Sequence, residues 1–225
     1  MKLSRQNLAC IFLIGAALAL SALLYARLPD PVPTHWNLRG EADGFTSKPW
    51  GPFVLPLTMI GVMLLFLALP KISPRGYEIS RFQGVFEILQ TAILGFLLLV
   101  HAVALLSGVG AAVDLNRAVI AGLGLLLAVL GNFMGKLTKN FFIGIRTPWT
   151  LASDEVWLRT HRLGGRLFVL AGIALFVWGL AGGGLAAVVA VLAAIALFSV
   201  VYSYVIYRRI EGFPRASGGG SATPR

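Results

Sequence analysis

"GVFEILQTAILGFLLLVHAVALL", residues 84–106, runs for twenty-three positions with a single acid and a single histidine. A helix needs about 20 mostly apolar residues to cross the hydrocarbon of a bilayer, and this stretch supplies them. Five further stretches read the same way, near 8–26, 53–69, 118–135, 167–182 and 185–207. Together they predict an all-α membrane protein, a polytopic bundle of about six transmembrane helices.

Composition excludes a soluble domain. Of the 225 residues, 57% are hydrophobic and 12% charged, and the mean hydropathy is +0.82. An average soluble chain is about 25% charged, so lipid must cover much of this one. The formal net charge of +10 raises the question of nucleic acid. The cations flank the apolar runs rather than forming one stripe, so no nucleic-acid partner is expected. The one cysteine, Cys10, lies inside an apolar run, which excludes an intramolecular disulfide.

The nineteen Lys and Arg divide unevenly between the connections. Two at the N-terminus, three between the second and third spans, six between the fourth and fifth, and four in the tail fall on one side. The first loop holds three and the third holds Arg117 alone. Positive residues concentrate in the cytoplasm, so both termini are expected there. Residues 1–26 also resemble a secretory signal, but their nineteen-residue apolar stretch exceeds the usual core of about 7–15; an uncleaved anchor is the expectation. Residues 1–217 form one transmembrane domain in this reading, and the Gly- and Ser-rich stretch 211–225 a flexible cytoplasmic tail.

The loop 27–52, "RLPDPVPTHWNLRGEADGFTSKPWGP", is expected outside. Pro29, Pro31 and Pro33 forbid helix. Gly40 and Gly44 are turn glycines, and Asp43–Gly44 is a hairpin-turn signal. Val32, His35 and Trp36 before it and Phe45 and Thr46 after it predict a small two-stranded element lying on the membrane, with Trp36, Phe45 and Trp50 at interfacial depth. His35, Glu41 and Asp43, with His101 near the outer end of the third span, also invite a metal reading. No close-spaced ligand pair accompanies them, so a hydrogen-bonded cap without metal is preferred, and nothing calls for a cofactor.

Within the third span Glu87, Gln90, Thr91 and His101 share one helical face. A central acid costs about 2.5–3.5 kcal/mol on insertion scales, so the stripe must face other helices or a wet cavity. It reads either as a proton or ligand path or as a structural set in which Glu87 meets a loop cation such as Arg146. In "GNFMG", residues 131–135, the GxxxG spacing permits close helix approach, and Asn132 is expected to bond another helix.

The inner loop 136–166 carries "FFIGIRTPWTLASDEVWLRTHR" at 141–162. Pro148 biases Thr147 away from helix. Ser153 is a fit N-cap, with Asp154 and Glu155 opposing the helix dipole. An interfacial cytoplasmic helix near Asp154–Leu163 follows, stopped by Gly164–Gly165, with Trp157 and His161 on one face. Arg146 is the candidate to reach Glu87 or Asn132, making the loop either a latch under the bundle or a surface for a partner. No Ser/His/Asp arrangement, HExxH or phosphate loop occurs, so the expectation is not an enzyme.

The inner stretch "GN…KLTKNFFIGIRTPWTLASDEVWLRTHR" resembles the signature of the SdpI-like family of bacterial membrane proteins, and "PVPTHWNLRGEADGF" resembles the extracytoplasmic segment of many members. Asn140, Gly144, Arg146, Thr147, Pro148, Trp149, Trp157, Thr160 and His161 match the inner motif. His35, Gly40, Asp43 and Gly44 match the outer one, where Trp36 stands in place of the family's Phe. The resemblance implies a non-enzymatic, signal-transducing immunity protein that meets a secreted peptide toxin on the outer face. It also implies a cytoplasmic regulator at the inner loop. The alternative is a small-molecule or proton-coupled transporter using Glu87 and His101.

Overall fold

A computed structural model describes residues 5–212. Among these residues six helices are long and apolar enough to cross a membrane. They are α1 (Arg5–Leu24), α2 (Val54–Ile72), α3 (Gln83–Gly108), α4 (Leu115–Met134), α6 (Asp154–Leu180) and α7 (Leu185–Ile210), with a short α5 (Pro148–Ala152) before α6. The six spans are those of a multi-pass membrane protein. Most of the tail expected at 211–225 lies outside the described residues.

Two ends of the bundle are capped by different devices. At one end, β1 (Val32–Trp36) and β2 (Ala42–Thr46) pair antiparallel. Leu28 and Val32 cluster with Leu105 of α3 and anchor this hairpin. Its turn corrects the expectation from sequence. Asp43 and Gly44 lie within β2, and the reversal falls at Asn37–Glu41. The Asn37 carboxamide oxygen accepts from the backbone N–H of Arg39 (2.8 Å) and Glu41 (3.1 Å). An Asx side chain mimicking backbone in this way competes with the Asp-Gly signal. Gly40 holds φ at +81° in the turn, and a Cβ there would come within 2.6 Å of the Asn116 side chain. The hairpin tip therefore rests on the first turn of α4.

At the other end the largest apolar cluster joins Phe66 and Leu69 of α2, Ile79 and Phe82 of the following turn, Phe86 and Leu89 of α3, and Met134, Leu137 and Trp157. The residue 136–153 loop closes over it.

The separate interfacial helix is also corrected. α6 runs unbroken from Asp154 through Gly164 and Gly165 to Leu180. These glycines are packing positions rather than a stop. A Cβ on Gly165 would lie 2.6 Å from the Gly131 carbonyl oxygen, and one on Gly172 would lie 2.5 Å from that of Gly124. A Cβ on Gly179 would meet the Ala121 backbone at 2.5 Å. The pairs descend α4 as they ascend α6, so the helices are antiparallel and in backbone contact along their length. Small residues permit this approach, and dispersion and weak backbone contacts reward it in lipid. Of the GxxxG pair, Gly131 belongs to this seam. Gly135 does not, since a Cβ there would meet only Arg162, at 3.5 Å.

Candidate functional site

The inner motif folds as a clamp built mostly on its own backbone. Asn140 is fully buried. Its amide nitrogen donates to the carbonyls of Thr138 (2.9 Å) and Ile143 (3.1 Å), and its oxygen accepts from the N–H of Phe142 (2.9 Å) and Ile143 (2.7 Å). One side chain thus holds four backbone groups that a loop would otherwise leave for water.

His161 takes over where Asn140 ends. Its Nε2 lies 2.9 Å from the Ile145 backbone nitrogen, and its Nδ1 lies 2.8 Å from the Trp157 carbonyl oxygen. An amide only donates and a carbonyl only accepts, so Nε2 is the bare nitrogen and Nδ1 carries the proton. The ring also stacks on Trp157, centroids 3.9 Å apart, and the Trp157 indole donates to the Leu137 carbonyl at 2.7 Å. Gly144 is constrained twice: its φ is +106°, and a Cβ would collide with the His161 ring.

Thr147 and Thr150 form a reciprocal capping box that starts α5 behind Pro148. Thr147 Oγ1 also meets Ser203 of α7 at 3.0 Å, and Trp149 packs edge-on to Tyr204 at 5.1 Å. Ser153 caps α6 as expected, accepting from Val156, and donates to Glu211 at 2.6 Å. Lys139 pairs with Asp154 at 2.6 Å, while Phe141 packs at a tilt on Tyr77, centroids 4.4 Å apart. Close to Tyr77, the Gly76 N–H donating to Glu78 at 2.7 Å holds that carboxyl below its usual range.

The loop is tied to α6 through His161 and to α7 through Ser203, and Arg146 makes neither tie. Arg146 is exposed and donates to the Phe141 carbonyl rather than to Glu87 or Asn132. Glu87 instead accepts from Gln83 one turn away, at 3.0 Å. Asn132 is exposed and bonds no other helix among the described residues. Thr160 is buried, with its hydroxyl unpartnered. The loop exposes Phe141, Arg146 and Pro148, together with Lys136, Gly144 and Ala152.

The intramembrane stripe is divided rather than joined. His101, at the hairpin end, shares its Nε2–H between the Ala17 carbonyl (3.1 Å) and Ser21 Oγ (3.0 Å). Ser21 in turn donates to the Pro52 carbonyl at 2.6 Å. This chain ties α3 to α1 and to the entry of α2. Ser21 escapes a sequence reading because one serine in an apolar run carries no signal of its own. Gln90 is buried with its amide nitrogen unpartnered. Thr91 meets Cys10 of α1 at 3.7 Å.

On the hairpin, His35 donates from Nδ1 to Asp43 at 2.5 Å. Gly44 sits opposite, where a Cβ would lie 2.7 Å from that of His35. Glu41 accepts from Asn37 instead of joining them. Trp36 is half-buried in the strand, whereas Leu38, Phe45 and Trp50 are exposed. Among the described residues no three His, Cys, Asp or Glu gather as metal ligands would.

Fold and loops define a class first: a six-span helical membrane protein with an ordered cap at each end. Residues 136–203 match the SdpI/YfhL protein family, and residues 12–60 match a domain of unknown function (DUF1648). The Immunity protein SdpI of Bacillus subtilis (strain 168) is 28% identical over 211 residues, covering 92% of this chain and 99% of that one. The chain is thus similar to an SdpI protein over nearly its whole length. No solved structure matches it.

Proposed function

We propose that this protein confers immunity to a secreted peptide toxin and is not an enzyme. The hairpin faces outward and meets the toxin, and the 136–153 loop faces the cytoplasm and presents Arg146, Pro148 and Phe141 to a regulator. The observation that carries this reading is the pair of ordered caps at opposite ends of the bundle. Each lies in one of the two family-matched segments, and the relative spanning nearly the whole chain is an immunity protein. The exposed Leu38, Phe45 and Trp50 give the hairpin an apolar surface suited to an amphiphilic peptide at the headgroup layer.

The test is survival. The chain is expressed in a sensitive host challenged with the family's secreted peptide toxin, with membrane levels followed by blot. The parent should protect, and His35→Ala, inserted at normal level, should protect less. Absence of protection by a correctly inserted parent would sink the immunity reading for that toxin. A transport reading draws on the unpartnered amide of Gln90. It requires the Glu87 carboxylate, so undiminished protection by Glu87→Gln counts against it.

A further inference from the structure

The cations near the motif-loop end of the bundle are not all alike. Lys139 pairs with Asp154, Arg159 with Glu155, and Arg81 with Glu78. Arg162 and Arg166 have no carboxylate partner among the described residues, and both are exposed. They stand four positions apart on α6, which puts two like charges on one helical face, a mildly unfavourable arrangement left to itself.

Their depth is set by the seam. Gly165 meets Gly131, so Arg166 lies level with the last turn of α4, and Arg162 lies one turn nearer the loop. That is where a spanning helix ends and lipid phosphates begin. A groove of about 560 Å³ opens there between α4 and α6. Asn132, Arg162 and Arg166 supply its polar lining, and Val169 and Leu170 continue it toward the hydrocarbon. It stays open beside Gly135, where a longer side chain would enter it, while Gly131 lets α4 and α6 meet at its floor. Leu170, 65% exposed, faces outward along this path.

We propose that this groove holds one anionic glycerophospholipid. Its phosphodiester sits between the Arg162 and Arg166 guanidiniums, Asn132 donates to a headgroup oxygen, and one acyl chain runs along Val169 and Leu170. Arginine suits the phosphate because its planar fork donates two parallel N–H bonds, and basic pockets between spanning helices are a recurrent headgroup site. The occupant also explains Asn132, a carboxamide on a spanning helix that bonds no other helix among the described residues. This inference does not depend on the immunity reading.

The full chain, purified in an uncharged detergent, is melted in the presence of phosphatidylglycerol, phosphatidylcholine or inorganic phosphate. Phosphatidylglycerol should raise the Tm saturably, with little response to the zwitterionic lipid. The lipid concentration giving half the shift should rise about 10- to 30-fold in the double variant Arg162→Gln/Arg166→Gln. Gly135→Leu keeps both charges and obstructs the groove, so it reads the site separately if the double variant inserts poorly; it should weaken the response comparably. The inference is overturned by equal shifts with both lipids, by a full shift with inorganic phosphate alone, or by an unchanged phosphatidylglycerol response in Gly135→Leu.

Discussion

Asn140 and His161 do for the inner loop what a strand partner does for a strand: they supply the donors and acceptors that an isolated backbone lacks. Asn140→Ala leaves buried amide and carbonyl groups unpaired and is expected to cost about 1–3 kcal/mol or more, read by denaturant unfolding of the full chain in detergent. Asn140→Asp keeps the two accepted bonds but sets a buried carboxylate oxygen against the Thr138 and Ile143 carbonyls, so it should not recover the loss. Gly144→Ala adds about 1–3 kcal/mol of backbone strain to its collision with His161. His161→Ala removes the collision but not the strain, so the two losses together should fall short of their sum by about 0.5–3 kcal/mol. A strictly additive double variant would show that Gly144 and His161 do not meet as described.

Glycine has two roles at the scale of elements, and sequence alone does not separate them. Gly164–Gly165 looks like a helix stop because a single chain carries no record of the neighbour that will fill the missing side-chain space. Against α4 the same glycines are the reason α6 continues. Gly165→Ala should therefore destabilise by roughly 1–3 kcal/mol through overpacking, while Gly135→Ala, whose Cβ meets only Arg162 at 3.5 Å, should stay within about 0.5 kcal/mol. Thermal melts of the two variants side by side check this, and equal losses would contradict the seam. The six spans and the two strands were legible because lipid and proline impose one-dimensional rules on composition. The Ser153 cap was legible because its partner is three residues away. The partners of Arg146, His101 and Asn132 were not: a long cation has many acceptors in reach, and the serine that meets His101 lies eighty positions away.

For the whole molecule, sidedness is the quantity that joins fold to function. In a Cys10→Ser background, Leu38→Cys on the hairpin should react with a membrane-impermeant maleimide in intact cells. Arg146→Cys on the inner loop should react only after permeabilisation, and the reverse pattern would invert the proposed roles of the two caps. The contact of Gly40 with Asn116 then acquires a mechanical meaning. The hairpin tip rests on one end of α4, a rod of twenty residues and about 30 Å, and the inner loop hangs from the other. Because backbone lies directly on backbone between α4 and α6, the rod has no cushion of side chains through which to slip. A load placed on the tip is borne along its axis, and the two surfaces of the membrane share one strut.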